Sequence, residues 1–174
     1  FLQKNYTNIH ILYNNSNYAT GALWKAYESF PNEDYYTLIH DSTEITTAIK
    51  LKSDIQCILV SGKDWKWPEN KTEDKKNKRG KRTNEKAKKM LLNSKIKFNE
   101  KLKHRTIIGP MFKVKHKILH KLFELDFNKV LPTNKYEMQQ MERLWGYVFQ
   151  YIGYDNNDLY FNSLLKGTED NYGV

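Results

Sequence analysis

A short segment near the start of the chain, from Tyr35 to Thr43, ends in residues that could bind a cation. Its aromatic and β-branched residues favour a β-strand, which gives way to His40 and Asp41 and then to two hydroxyl residues. In an open α/β sheet, ligands bind just beyond the carboxyl ends of the strands. A carboxylate there can hold a hard cation, and the cation can bind a diphosphate. The segment therefore indicates a nucleotide-sugar site.

Both residues at this strand end also have ordinary structural interpretations. Asp41 could cap a following helix or lie in a surface turn, because its side chain accepts hydrogen bonds from backbone amides. His40 could be a second ligand of the cation, since imidazole is an acceptable ligand for Mn²⁺. It could equally form only a hydrogen bond to the next turn. The residue types alone leave these alternatives open.

A second set of reactive residues lies on the longest predicted helix, near the end of the chain. Glu142 follows Met138 by four residues and precedes Trp145 by three, so it borders the apolar stripe of that helix. A carboxylate in this position must be paired, solvated in a cleft or shifted in pKa. A salt bridge to Arg143 or to a distant lysine is the structural alternative. Arg143 itself could bind a phosphate with two parallel hydrogen bonds, or be an ordinary surface residue.

Three tryptophans are candidates for stacking on a sugar ring. Trp65 and Trp67 are separated by one lysine and precede a proline, on a predicted loop after a strand, where a sugar could reach them. Trp145 could stack on an acceptor sugar. Its helical spacing with Met141 and Phe149 predicts core packing instead.

His116 and His120 stand four residues apart, a spacing that can chelate a metal on a helix. The residue after His116 is not glutamate, so the zinc-protease motif is absent. Four lysines surround the pair and would repel a cation: Lys113, Lys115, Lys117 and Lys121. We interpret the two histidines as part of a basic, exposed helix face.

The charge of the chain is concentrated in one segment. The 174 residues carry a net charge of +9, whereas residues 61–105 alone contain 17 Lys and Arg against 6 Asp and Glu. The length predicts a single domain spanning 1–174, with a basic loop at about 66–89. The run at 71–82 has no apolar residue to bury. It could be a phosphate-attracting arm or a solvated surface excursion.

The first sixty residues have the pattern β-α-β-α-β. Strands are predicted at 8–13, 35–40 and 55–60, with an apolar helical stripe at 18–30 and a short helix at 43–52. Such alternation predicts an α/β fold with a mostly parallel sheet, right-handed crossovers and flanking helices. Cys57 lies in the third strand and is interpreted as a small core residue.

The second half of the chain contains a predicted strand at 106–112, interrupted by a Gly-Pro pair, and a helix at 113–125. One or two helical turns are predicted at 83–92. The longest helix is expected from Asn134, which can cap it, to about Tyr151, with Glu137 where a capping box places its acid. The last twenty residues are interpreted as an irregular tail.

Several of these segments together resemble the nucleotide-binding half of glycosyltransferases with the Rossmann-like GT-A fold. The resemblance rests on a strand, a helix with the small-residue turn Thr20-Gly21-Ala22, and a second strand leading into the acidic His40-Asp41 motif. The segments 107–112 and 141–146 resemble the later strand on the acceptor side and the helix start that carries an acid in many such enzymes. The resemblance covers roughly residues 8–60 and 104–153. The similar glycosyltransferase-like proteins include viral and bacterial ones.

The resemblance implies a function and a set of roles. Asp41, with His40, would bind Mn²⁺ or Mg²⁺ that bridges the diphosphate of the sugar donor. Glu142 would act as the general base for transfer to an acceptor hydroxyl, and Gly109 would lie on the acceptor side. Arg143 and the three tryptophans would contact the substrates. The expected partners are a nucleotide-sugar donor and a glycan or other hydroxyl acceptor.

Two other functions remain open from the sequence. The chain could be a basic binding module for nucleic acid or an anionic surface, although no aromatic residue interrupts the run at 71–82. It could also be an inactive glycosyltransferase-like interaction domain. The sequence contains no stretch of about twenty apolar residues, so no transmembrane segment is predicted. One cysteine and no recognisable signal peptide lead us to expect a cytoplasmic protein.

Overall fold

The computed structural model describes residues 17–39, 53–57, 60–65, 86–99, 101–102, 104–107, 109 and 111–154. For residues 60–65 and Arg105 it describes the backbone alone. In chain order the elements are helix α1 (Tyr18–Ser29), strands β1 (Tyr35–Leu38), β2 (Ile55–Cys57) and β3 (Val60–Trp65), helix α2 (86–91), strands β4 (His104–Ile107) and β5 (Phe112–Lys115), helix α3 (His116–Glu124), a 3-10 turn (Phe127–Lys129) and helix α4 (Lys135–Tyr151).

The fold is mixed α/β, as predicted, but all the strand pairs described are antiparallel. Strand β5 lies between β1 and β2 and runs opposite to both of them. The sequence predicted a mostly parallel sheet, and no parallel pair is found among the described strands. The physical reason is that a strand from the second half of the chain separates β1 and β2. These two strands still share one direction, as a crossover connection between them requires.

Strands β3 and β4 form a separate two-stranded antiparallel sheet. The predicted strand at 55–60 therefore ends at Cys57 in the main sheet, and Val60 begins a strand that pairs with β4 instead. The predicted strand at 8–13, the helix at 43–52 and the tail after Tyr154 lie outside the described residues. Among the helices that the structure describes, none is both long and apolar enough to cross a membrane.

The largest error of the sequence prediction lies at the junction of β5 and α3. Residues 113–125 were predicted to be helical, whereas Phe112–Lys115 form a strand and the helix begins at His116. The four strand residues alternate apolar and basic, which is the period of a strand. Val114 lies opposite Tyr36 on one side and Ile55 on the other, and both of these residues are buried. Pairing on both edges therefore overrides the helical pattern that continues from α3.

Helix α4 begins where the capping residues predicted it. The Asn134 side chain accepts hydrogen bonds from the backbone N–H groups of Tyr136 and Glu137, both at 3.1 Å. Glu137 in turn accepts from the N–H of Thr133 at 2.8 Å and from its hydroxyl at 2.7 Å. The acid thus reaches one residue further back than in an ordinary capping box. These bonds satisfy amides that the first turn leaves without helical partners.

The core is organised around Trp145, which is fully buried on α4. Its ring stacks on Trp24 of α1 at 6.1 Å between centroids and lies 4.9 Å from Phe112 of β5. Phe127 packs edge-on against it at 5.0 Å, and its indole nitrogen lies 3.4 Å from the hydroxyl of Thr20. One side chain therefore joins α1, β5, the 3-10 turn and α4.

A cluster of charged side chains surrounds Asp54 at the carboxyl end of β5, the end away from Phe112. The Asp54 carboxylate lies 2.8 Å from the ammonium of Lys115 and 2.5 Å from that of Lys117, and it accepts a hydrogen bond from the Tyr154 hydroxyl at 3.1 Å. These bonds to the ionised form, with Lys115 first, lower the pKa of Asp54 from 3.8 to about 2. The chain after α4 is thereby attached to the start of β2.

We expect this cluster to make folding stability fall in acid. A carboxyl whose pKa is lower in the folded state contributes stability above its unfolded pKa, and the contribution is lost as the pH falls towards the folded value. The window for Asp54 therefore runs from about pH 4 down to about pH 2. Urea midpoints measured through this range should fall, and Asp54→Asn should flatten that part of the curve. Asp34→Asn, at an exposed position, is the control and should leave the curve unchanged; an unflattened Asp54→Asn curve would contradict the assignment.

Candidate functional site

The connection between β4 and β5 presents a backbone amide to a side chain of α4. The N–H of Gly109 donates a hydrogen bond to Oε1 of Glu142 at 3.1 Å. Gly109 has a φ of +60°, a conformation that glycine adopts without the penalty of a Cβ atom. Gly109, the first residue of the Gly-Pro pair, therefore lies in a turn, and its amide is a donor three residues before β5.

Glu142 occupies the border position that its spacing predicted. It is half-buried, while Met141 before it and Trp145 one turn later are completely buried. Its carboxylate accepts a hydrogen bond from a backbone amide 33 residues earlier in the chain. The sequence had suggested only the neighbouring arginine or a distant lysine as partners. A carboxylate has about four lone-pair sites. Accepting the N–H of Gly109 therefore orients the carboxylate relative to the start of β5.

Arg143 lies next to Glu142 and is half-buried on the same helix. One guanidinium nitrogen lies 3.5 Å from the carbonyl oxygen of Gln139. Burial lowers the pKa of Arg143 from its ordinary value, and the negative charge of Glu142 opposes that shift. Arginine keeps its charge in proteins, so a carboxylate and a guanidinium stand side by side at this position.

The strand register brings two further chain segments to the same edge of the sheet. Phe112, the first residue of β5, lies opposite Leu38 on one side and Cys57 on the other. These are the last residues of β1 and β2, so the carboxyl ends of both strands lie beside the first residue of β5, three residues after Gly109. His40 and Asp41, the predicted cation ligands, follow β1 directly but lie outside the described residues.

Of the three candidate tryptophans, the structure describes the side chain of Trp145. Trp145 packs in the core, which is the alternative that its helical spacing favoured. Trp65 ends β3 opposite His104, whereas the other end of that ladder, Val60 opposite Ile107, lies next to Gly109. On β4 these two ends are three residue steps apart, or about 10 Å. Neither the side chain of Trp65 nor Trp67 is among the described parts of the chain.

The two histidines of α3 connect this helix to its neighbours. Nδ1 of His120 lies 2.9 Å from the hydroxyl of Tyr27 on α1, and Nδ1 of His116 lies 3.4 Å from that of Tyr36 on β1. The two imidazole rings stack at 5.9 Å. The pair therefore makes defined contacts to α1 and β1, which the predicted basic helix face did not include.

The described residues hold no group of three or more His, Cys, Asp or Glu side chains that could bind a metal ion. The predicted cation site therefore depends on residues outside them. No family model, curated protein or solved structure matches this chain significantly.

We predict that the Gly109 amide reports directly on Glu142. Glu142→Ala should speed hydrogen exchange at this amide by about tenfold or more, because a hydrogen bond to a charged group contributes about 1.5–3 kcal/mol. Glu142→Gln should retain most of the protection, since its carbonyl oxygen still accepts the bond. Glu137→Ala is a matched control that should expose the amide of Thr133 instead. Exchange followed by NMR would refute the contact if Gly109 stayed protected in Glu142→Ala.

Proposed function

We propose that the chain transfers a sugar from a nucleotide-sugar donor to an acceptor hydroxyl with the help of a divalent cation. The observation that carries the proposal is the carboxylate of Glu142, held by the Gly109 amide at the edge where β1 and β2 both end. Ligands of open α/β sheets bind beyond the carboxyl ends of strands, and this edge has such ends on both sides of β5.

Chain connectivity supports including Asp41 in the same site. Asp41 follows Leu38 by three residues, and three residues span at most about 11 Å. Leu38 in turn lies opposite Phe112, three residues after Gly109. Because Asp41 is close in sequence to the end of β1, and Glu142 is bonded to the turn that precedes β5, we include both acids in the proposed site. The GT-A-type organisation of the whole domain is part of this proposal.

Each residue has a separate role in the proposed reaction. Asp41 and His40 would hold the Mn²⁺ or Mg²⁺, and the cation would supply positive charge for the departing diphosphate. The acceptor oxygen bonds to the anomeric carbon of the sugar as the bond from that carbon to the diphosphate oxygen breaks. Glu142 takes the proton that the acceptor hydroxyl loses. Arg143, beside Glu142, contributes a fixed positive charge for a phosphate oxygen.

The position of Glu142 suits a general base for reasons of local structure. The Gly109 amide fixes its direction, while Trp145, one turn later, fixes the helix that carries it. A base must be held within hydrogen-bonding distance of the proton that it removes. Both constraints come from the backbone and the core, so the carboxylate does not depend on a bound substrate for its orientation.

We expect Asp41→Asn to remove metal-dependent nucleotide binding without unfolding the domain. Isothermal calorimetry with uridine or guanosine diphosphate and Mn²⁺ should show a loss of about 100-fold or more, because even outer-shell partners of metal sites contribute about 10- to 100-fold. Asp34→Asn, at the opposite end of β1, should bind normally. Equal affinity in the unaltered chain and in Asp41→Asn would exclude Asp41 as the cation ligand.

We expect Glu142→Gln to stop transfer but to spare donor binding. General-base catalysis contributes about 10²- to 10⁴-fold, and glutamine keeps the hydrogen bond to Gly109 while it cannot accept the proton. Product formation from a panel of uridine- and guanosine-diphosphate sugars measures the effect, with Glu137→Gln as the control on the same helix. Undiminished turnover in Glu142→Gln would remove its role as base. Nucleotide binding without turnover in the unaltered chain would favour the inactive interaction domain.

A further inference from the structure

A separate, strongly basic surface surrounds the end of α2. Residues 86–101 contain six lysines and one acid, Glu100. We define the lysine surface by four of the lysines and two exposed apolar residues: Lys86, Lys88, Lys89, Lys97, Leu92 and Tyr136. Lys95 is left out because its ammonium group is 3.3 Å from the carboxylate of Asp126 and donates to the carbonyl of Glu124. None of the residues in the lysine surface belongs to the proposed catalytic site.

Leu92 stands at the centre of this surface with 80% of its area exposed, the highest value among the large apolar side chains described. A hollow of about 280 Å³ on one side of it is lined by Lys86 and Lys89, and also by the acid Glu137. A more open hollow of about 800 Å³ on the other side is lined by Lys88 and Lys97. Lysines therefore lie on both sides of the exposed apolar side chain.

Tyr136 adds an amphipathic ring at the edge of the lysine surface. The side chain is 68% exposed, and the ammonium group of Lys86 lies 4.9 Å from the centre of its ring. Lys88 similarly lies 5.0 Å from the ring of Phe98. Tyrosine is favoured where one end of a side chain is in apolar surroundings and the other is in water.

Hydrogen bonds from helix α4 hold the backbone of the segment that carries part of the lysine surface. The buried Tyr147 donates its hydroxyl to the carbonyl of Lys97 at 3.2 Å and accepts the N–H of Asn99 at 2.7 Å. Ile96 is buried in the core between the exposed lysines. The segment after α2 is therefore attached to α4 through Lys97 and Asn99.

We propose that the lysine surface docks the chain on an anionic lipid bilayer, with Leu92 entering the boundary between headgroups and acyl chains. Lysines close to an acidic membrane surface are attracted to the headgroups, and their alkyl chains tolerate apolar surroundings. A nucleic acid would use the lysines and Tyr136 but would gain little from Leu92, because its affinity comes from phosphates and from base stacking. The exposed leucine therefore favours the membrane.

Sedimentation of the full chain with vesicles tests this proposal. Vesicles of phosphatidylcholine that also contain phosphatidylserine should bind the chain, and vesicles of phosphatidylcholine alone should not. Raising the salt to about 1 M shortens the screening length to about 3 Å and should release most of the bound chain. Failure to bind the acidic vesicles at low salt would overturn the proposal.

Two sets of variants separate the contributions of charge and apolar insertion. Lys89→Glu with Lys97→Glu should weaken binding by about fivefold or more per lysine. Leu92→Ser should weaken it by about tenfold or more, because it removes the buried apolar side chain. Lys25→Glu, an exposed lysine on α1, is the matched control and should change binding by less than about twofold. Thermal unfolding checks that every variant is folded.

The Leu92→Ser variant decides between the two kinds of partner. If it binds acidic vesicles as well as the unaltered chain does, the membrane proposal is wrong. Tight binding of a single-stranded oligonucleotide, insensitive to Leu92→Ser and lost with the lysines, would then assign the surface to nucleic acid. Glu142→Gln should bind vesicles normally, so a failed transferase assay leaves this result unaffected.

Discussion

The packing of Trp145 is the constraint on which the rest of the described structure depends. Its ring contacts Trp24 of α1 and Phe112 of β5, two residues separated by 88 positions in the chain. Truncating so large a buried aromatic costs about 3–5 kcal/mol in typical cores. Trp145 holds α4 against the first residue of β5. Glu142 is one helical turn before Trp145, and this packing brings it beside the turn that precedes β5. The hydrogen bond to Gly109 is thus a consequence of the aromatic core.

Strand β5 has different neighbours at its two ends. It separates two strands of common direction, so a single residue, Phe112, lies opposite the carboxyl ends of both. Strand ends leave backbone groups outside the ladder, and the residues that follow are free to differ without disturbing the sheet. At the other end of β5, the cluster around Asp54 carries lysines and a tyrosine whose bonds serve stability. The two ends of one strand therefore have different chemical environments.

Local signals predicted the helices well and the sheet poorly. The caps at Asn134 and the apolar period of α1 and α4 depend on neighbours in sequence, so they could be read from the chain. The strand Phe112–Lys115 is only four residues long, and its pairing partners are 55 to 80 positions away. Its apolar residues also continue the helical stripe of α3. Only the partners on both sides decide between the two structures, and a single sequence does not reveal them.

In the candidate site, too, the sequence predicted the features that depend on neighbouring residues and missed those that depend on distant ones. The border position of Glu142 follows from helical spacing, whereas its bond to Gly109 depends on the register between a turn and a helix 33 residues later. The lysine surface combines α2, the segment after it and the start of α4, so Tyr136 could not be assigned to it from spacing. Tyr136 and Glu142 are six residues apart on α4, or about 9 Å along its axis. The two side chains project about 120° apart around the helix, so one helix carries the lysine surface on one face and the carboxylate bonded to Gly109 on another.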